Sequence, residues 1–335
     1  MSVQSWFNRI WYDRAAPPWG LMPLSFVYGA AAALRRVLYT HGMRRPSRVP
    51  CAVIVVGNLS VGGTGKTPLV CWLVEQLRER GLTPGIVTRG YGGSSSNVRP
   101  VTALDDPAVV GDEPVLLARR TGAPVAVGRD RPAAAHLLIR AGCDVIVSDD
   151  GLQHYALARD CEIVVIDGDR RFGNGWLLPA GPLRETPGRL KNVDAVVVNG
   201  GRPLLAGALS MRLEARNAVS LKDGTVQPLA ALAGKSIHAV AGIGHPERFF
   251  NMLRSRGIEV IGRGLADHAR LTPADIEFGD DKRVLMTEKD AVKCRPFAGP
   301  RHWYVPVTAS FDGADAAALL DTVMKKITRH EPPPP

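Results

Sequence analysis

The chain has 335 residues, 45% of them hydrophobic and 22% charged, with a formal net charge of +10. That length gives room for two domains, and the composition is globular, which excludes a disordered or fibrous chain. The positive balance implies an anionic partner, but aromatics are few and no run of five Lys/Arg occurs, so nucleic acid ranks below membrane lipid and small phosphorylated anions.

Residues 1–45 differ from the rest. Trp6, Phe7, Ile10, Trp11, Tyr12 and Trp19 interleave with Arg9 and Arg14, and a mostly apolar stretch at 21–34 ends on Arg35-Arg36. Fourteen residues are too few to cross a bilayer, which takes about 20. Tryptophan beside arginine suits a segment lying in the headgroup interface. A signal peptide cleaved near 30–33 and a helix packed on the core are the competing readings.

Residues 46–207 alternate apolar, β-branched runs (52–56, 85–88, 125–127, 144–148, 162–166, 194–198) with helical stretches such as 67–80 and 131–141, as in a parallel, helix-covered sheet. Between the first run and the first helix stands Ser60-Val61-Gly62-Gly63-Thr64-Gly65-Lys66-Thr67. Strand, glycine-rich loop, Lys-Thr and helix together form a P-loop. Its backbone N–H groups cradle phosphates, its lysine reaches the β- and γ-phosphates, and its threonine hydroxyl suits Mg²⁺. Ser60 stands where the common pattern has glycine. Leu69, Leu73 and Leu77 repeat at four, and Gly81 is a natural stop.

Such a loop needs an acidic partner for Mg²⁺ at a neighbouring strand end, and Asp149-Asp150 after 144–148 supplies one. Helix capping is the alternative use of such an aspartate. Asp112-Glu113 begin a helix, where carboxylates also suit the dipole without any function. Arg89 and Tyr91 follow the second strand on the ligand-binding edge. The five cysteines are widely spaced with no Cys-x-x-Cys, and read as buried thiols of a reducing compartment.

At 208–228 two short extended runs flank Lys222-Asp223-Gly224-Thr225, a hairpin signal taken as a connector between domains. Residues 229–330 then form a smaller α/β unit, with strands at 237–241, 258–261, 284–287 and 303–307 and a last helix over 314–327. The tail at 331–335 has no capacity to build a core. His268, in a loop of this unit, gains a role only if the two domains approach each other.

Taken in order, the motifs resemble the tetraacyldisaccharide 4′-kinase family. They are Val56-Gly57-Asn58-Leu59 with the P-loop, Thr88-Arg89-Gly90-Tyr91-Gly92, Gly111-Asp112-Glu113-Pro114, Asp149-Asp150-Gly151-Leu152-Gln153-His154, Pro179-Ala180-Gly181-Pro182-Leu183-Arg184-Glu185, Asp267-His268 and Thr287-Glu288-Lys289-Asp290. Leu152 departs from the phenylalanine common there. The resemblance implies a P-loop NTPase-like domain and a second α/β domain joined by two strands. It also implies ATP- and Mg²⁺-dependent phosphorylation of the 4′-hydroxyl of a tetraacylated glucosamine disaccharide 1-phosphate, in lipid A biosynthesis. The enzyme is expected on the cytoplasmic face of the inner membrane, with no nucleic acid and no obligatory protein partner. Asp112 matches the proposed base and His268 its partner, with Lys66 on the phosphates. Thr67, Glu113, Asp149 and Asp150 are the metal candidates, and Arg89, Tyr91, His154, Arg184 and Glu185 the acceptor-binding ones. Another P-loop small-molecule kinase is the first alternative. A nucleotide-switch regulator is the second, since Thr287-Glu288-Lys289-Asp290 imitates a base-reading motif.

Overall fold

A computed structural model of the chain describes residues 3–13, 16–201 and 205–330. Arg14 of the aromatic–basic segment and the tail at 331–335 lie outside them. The N-terminal segment forms α1 (Val3–Tyr12) and α2 (Met22–Thr40). There follow β1 (Ala52–Gly57), α3 (Lys66–Glu79), β2 (Pro84–Thr88), β3 (Arg99–Val101), α4 (Pro107–Val110), α5 (Asp112–Thr121), β4 (Val125–Val127), α6 (Arg131–Arg140), β5 (Val145–Asp149), β6 (Cys161–Asp167), β7 (Ala195–Asn199) and β8 (Leu209–Glu214). The chain then makes β9 (Asn217–Ser220), β10 (Val226–Pro228), β11 (Ser236–Ala241), α7 (Pro246–Arg254), β12 (Glu259–Gly264), α8 (Pro273–Ile276), β13 (Val284–Thr287), α9 (Glu288–Cys294), β14 (His302–Val305), β15 (Thr308–Phe311) and α10 (Gly313–Ile327).

Two sheets result. The larger has nine strands in the order β15-β8-β7-β6-β1-β5-β2-β4-β3, and the smaller has six in the order β10-β9-β14-β13-β11-β12. Strands β1, β2, β5, β6 and β7 are parallel and run into β4 and β8 in the same sense; β3 and β15 are antiparallel edges. Central strand β1 is buried along its whole length, as a strand covered by helices on both faces must be. Its partners are β5 on one side and β6 on the other, so the chain reverses direction of winding here. Ligands of such sheets bind at this point, outside the carboxyl ends of the strands. Helix α3 presents Leu69, Leu73 and Leu77 to the sheet, all fully buried. At ~1.5–3 kcal/mol each, these three anchor the helix whose N-terminus forms the P-loop.

The connector differs from the hairpin expected at 208–228. Strand β8 belongs to the large sheet, and the hairpin β9–β10 belongs to the small one, with Val226 opposite Val219. The domains are joined instead by two antiparallel chain passes. One runs from β8 into β9; the other runs back from β14 into β15, and they pair at Glu214–Thr308 and at Ser220–Trp303. The boundary at 330 moves for the same reason. Helix α10 returns to the large sheet and buries Leu319, Leu320 and Val323 in its core, with Asp315 accepting from the Ser210 amide at 2.7 Å. An amphipathic terminal helix covers whichever sheet face is left bare.

Candidate active site

The P-loop is held from several directions. Asn58 Nδ2 donates to the Ser60 carbonyl at 2.6 Å, the Val61 amide to the Pro182 carbonyl at 2.8 Å, and Asn199 Nδ2 to the Thr64 carbonyl at 3.0 Å. Gly65 caps α3 at φ +98°, and a Cβ there would stand 2.6 Å from Asn199 Nδ2, so this position requires glycine. Ser60 instead forms a sheet-like bridge with Leu183, a conformation open to any residue, which explains the missing glycine. The free amides at the start of α3 supply the anion-binding end.

Below the loop lie the two aspartates at the end of β5. Lys66 Nζ sits 3.4 Å from Asp150 Oδ1, and Arg184 Nη1 lies 3.0 Å from both Asp150 oxygens. Burial would raise the Asp150 carboxyl, but Lys66 and Arg184 outweigh it and hold the group well below the usual carboxylate range. Asp149 is the reverse. It is 1% exposed, and burial followed by the charge of Glu113 pushes it up to about 7. Its Oδ1 is buried with no hydrogen-bond partner. A buried, unpartnered carboxylate oxygen within the field of the P-loop lysine suits a hard divalent cation. Among the described residues no three His, Cys, Asp or Glu side chains converge as a self-sufficient metal site. That matches Mg²⁺, which is usually held by one or two carboxylates plus substrate phosphates and water.

Across the cleft the second domain supplies His268, Asp267 and Lys289. His268 Nδ1 stands 3.2 Å from Asp112 Oδ1, an electrostatic approach rather than an aligned hydrogen bond. Lys289 Nζ bridges Glu113 Oε1 at 3.3 Å, Asp267 Oδ1 at 3.2 Å and His268 Nε2 at 3.2 Å. An ammonium only donates, so in the neutral imidazole Nε2 accepts from Lys289 and Nδ1 carries the proton toward Asp112. Asp112 is the first residue of α5 and is 5% exposed. Burial would raise its carboxyl, yet contact with His268 and the ammonium groups of Lys289 and Lys293 hold it below its ordinary value. His268 responds the other way: burial lowers it, but Asp112 and Asp267 prevail and raise it. Its backbone is left-handed at φ +59°, and Tyr91 packs edge-on at 4.8 Å between ring centres.

A cavity of about 1430 Å³ joins these groups, roomier than the 300–1,000 Å³ typical of small-molecule pockets. The loop from Val61 to Thr67, Glu113, Asp150, Arg89, Tyr91 and Arg184 line it. So does His154, which burial and the nearby Arg131, Arg159 and Arg35 push down to about 4, leaving a neutral imidazole with a buried, unpartnered Nε2. Phe7, Trp11 and Tyr28 of the N-terminal helices close one side. Asp112, Asp149 and Ser60 stand behind the wall rather than on it. Glu185 is a correction: it turns away from the cavity, taking a hydrogen bond from Tyr155 at 3.0 Å and lying 3.5 Å from Arg189. The chain bends at Arg184 and Glu185, and the two side chains part there, Arg184 to Asp150 and Glu185 to Tyr155 and Arg189. The base-reading imitation fails too. Asp290 is fully buried, where its carboxylate accepts from the Gly242 amide and the Thr287 hydroxyl.

Sequence reasoning assigned no role to Lys289, Arg131 or Asn199. Lys289 was visible only as part of a motif at a strand end, because its three partners come from two domains. Arg131 is buried, donates to Ser148 Oγ at 2.7 Å and to the Asp150 carbonyl at 2.9 Å, and is held down to about 10 by that burial. The cysteines are free thiols; burial pushes Cys51, Cys71, Cys161 and Cys294 up to about 12, far from reactive thiolates.

A parallel sheet with a P-loop at its switch point and an acid–histidine pair closing over it defines a P-loop phosphotransferase. The family model for tetraacyldisaccharide-1-P 4′-kinase matches residues 17–325, and the chain belongs to that family. It is 51% identical over 331 residues to the tetraacyldisaccharide 4′-kinase of Xanthomonas euvesicatoria pv. vesicatoria, covering 95% of this chain and 96% of that one. It is 49% identical over 323 residues to the enzyme of the same name from Nitrosococcus oceani, covering 95% of each. A crystal structure of Aquifex aeolicus LpxK in complex with ATP superposes with a TM-score of 0.77 at 26% identity, over 92% of this chain and 98% of that chain. The chain is therefore an ATP- and Mg²⁺-dependent lipid kinase that phosphorylates the 4′-position of the tetraacyldisaccharide 1-phosphate in lipid A biosynthesis.

Proposed function

We propose that Asp112 accepts the proton of the 4′-hydroxyl while Lys66 and the P-loop amides hold the β- and γ-phosphates. The observation that carries this is the Asp112–His268 contact: a buried carboxylate kept ionised by groups from the other domain, with its partner His268 on the wall of the cavity that the P-loop also lines. Phosphoryl transfer is mostly positioning and charge neutralisation, so an ionised base needs only to be aimed and kept dry. His268 orients Asp112 and keeps it ionised until it takes the proton. Lys289 ties Glu113 to Asp267 and so keeps the two domains together around the reacting groups. Thr67 with Asp149, Asp150 or Glu113 would hold Mg²⁺, which supplies charge neutralisation at the transferring phosphoryl oxygens. Arg89, Tyr91, Arg184 and neutral His154 would receive the phosphorylated sugar, guanidinium forks being suited to phosphate.

The same reading places the enzyme on the cytoplasmic face of the inner membrane. Trp19–Thr40 is a helical stretch long and apolar enough to cross a bilayer, longer than the 21–34 run suggested, and almost none of its apolar window is buried. Helix α2 is nevertheless fixed to the protein near both ends. Ser25 Oγ donates to the Leu177 carbonyl at 2.8 Å, and Tyr39 stacks on Tyr155 at 5.9 Å. A helix strapped along a folded core lies on a membrane rather than through it, with Leu24, Phe26, Val27 and Leu34 facing outward. Incubation with ATP, Mg²⁺ and the disaccharide 1-phosphate should give a lipid heavier by one phosphate, and an unchanged lipid would refute the assignment.

A further inference from the structure

The turn after β6 brings a cation to the P-loop that none of these roles uses. Asp167 Oδ1 accepts from the amides of Asp169 and Arg170 at 3.0 and 3.1 Å, fixing the turn backbone. The Arg170 guanidinium then lies 4.4 Å over the ring of Tyr12, at the end of α1. Its Nη1 stands 3.7 Å from where a Cβ on Gly62 would be, above the glycine-rich part of the loop. Tyr12 does two things at once, because its hydroxyl also donates to the Val61 carbonyl at 3.1 Å. The end of α1 is seated tightly: the Asn174 amide donates to the Trp11 carbonyl at 2.8 Å, and Gly173 has no room for a side chain against that carbonyl.

Three other arginines that line the cavity are already paired. Arg184 is taken by Asp150, Arg248 by Asp167 and Arg120 by Glu288. Arg170 forms no ion pair among the described residues and lines the cavity. A guanidinium held by an aromatic face keeps its N–H fork free for a planar or tetrahedral anion. At a loop built to cradle phosphates, that anion is a phosphate.

We propose that Arg170 is a phosphate-binding arginine of the triphosphate site, held over the P-loop by Tyr12 of the N-terminal helix. This rests on the P-loop's role in phosphoryl transfer and extends it, because it makes the membrane-facing segment part of the nucleotide site. A cis arginine on the transferring phosphoryl group is a recurrent device of P-loop enzymes. Tyr12 is a positioning residue acting through Arg170 and the Val61 carbonyl.

The test is ATP binding to the full chain in the absence of lipid, by titration calorimetry with Mg²⁺, alongside transfer kinetics. Arg170→Ala should weaken ATP binding about 10- to 100-fold, the usual span for losing charge-assisted hydrogen bonds. Arg170→Lys, which keeps the charge but not the fork, should recover part of it. Tyr12→Ala should weaken ATP binding in the same direction, and the double variant should cost little more than Arg170→Ala alone, since the two act as a unit. Unchanged ATP affinity in Arg170→Ala overturns the inference. So does a defect confined to the KM for lipid, which would give Arg170 to the acceptor's phosphate. Wild-type transfer measured in parallel separates the two readings: if it proceeds while Arg170→Ala binds ATP normally, only this inference falls.

Discussion

Asp112 and His268 come from different domains and meet across the interdomain cleft, Oδ1 to Nδ1 at 3.2 Å. Neither is placed by local sequence alone. Gly111, at φ +96°, turns the chain so that Asp112 begins α5 facing the cleft, and His268 sits in a left-handed turn that brings its ring under Tyr91. The pair is built from both domains, so it depends on how they are seated against each other.

Asp112→Asn removes the proposed base and leaves the shape. Turnover should fall about 10²–10⁴-fold, the usual contribution of a general base. Near-normal turnover would reject the role. The same variant makes a second, independent statement about His268. Asp112 raises that imidazole, whereas burial and Lys289 lower it, so without the carboxylate His268 should titrate at lower pH than in the wild type. Histidine ring-proton NMR reads the midpoint directly, and an unmoved midpoint would mean the contact is absent in solution.

The pH dependence of folding stability follows from the same shift. His268 is raised above its unfolded value of 6.5, so its contribution to stability is fully present below about that pH and fades as pH rises through the higher folded value. Asp112 is lowered and stays ionised across that window. The difference in thermal midpoint between wild type and His268→Gln should therefore be largest near the acid side of neutrality and shrink on alkalinisation. A difference that grows with pH would contradict the assignment.

Lys289→Met leaves Glu113 and Asp267 facing each other with no ammonium between them. Stranding partly buried charges costs about 1–3 kcal/mol, which should appear as an earlier urea midpoint with the slope unchanged. Lys289→Arg should recover part of the loss. Equal stability of wild type and Lys289→Met would show that the bridge contributes nothing.

What could be read from the chain was whatever is encoded over short distances. Strand β1, the glycines of the P-loop and the leucine stripe of α3 are contiguous, and their boundaries agree with the structure to within a residue or two. The fold class followed from the alternation of buried strands and helices. The return of β15 and α10 to the first sheet was hidden, because strand pairing between residues about a hundred positions apart leaves no local trace. The hairpin signal expected over 208–228 belongs to 217–228 alone, and nothing local says which sheet it joins. Among site residues, Lys66 and Asp150 were visible through their motifs and lie together. Glu185 is adjacent to Arg184 in the motif, but the chain bends there and its carboxylate is taken by Tyr155 and Arg189 instead. Lys289 and Arg170 acquire meaning only from what the other domain or helix brings to them.

Membrane seating can be tested without touching the site. Helix α2 turns Leu24, Val27 and Leu34 outward, at 55, 68 and 59% exposure, while Ser25 and Tyr39 on the opposite side hold it to the core. An apolar stripe exposed on a folded protein is costly in water and favourable in the acyl boundary of a bilayer. Each large aliphatic side chain moved out of water contributes about 1.5–3 kcal/mol when fully buried. Replacing all three with glutamate removes that gain and adds repulsion from anionic lipid. The triple variant should lose most of its cosedimentation with phosphatidylglycerol-containing vesicles while binding ATP as the wild type does, because none of the three side chains lines the cavity. Transfer to acceptor presented in vesicles should fall with the loss of partitioning, and transfer to acceptor dispersed in detergent should be largely retained. Unchanged cosedimentation would place the membrane contact elsewhere on the protein.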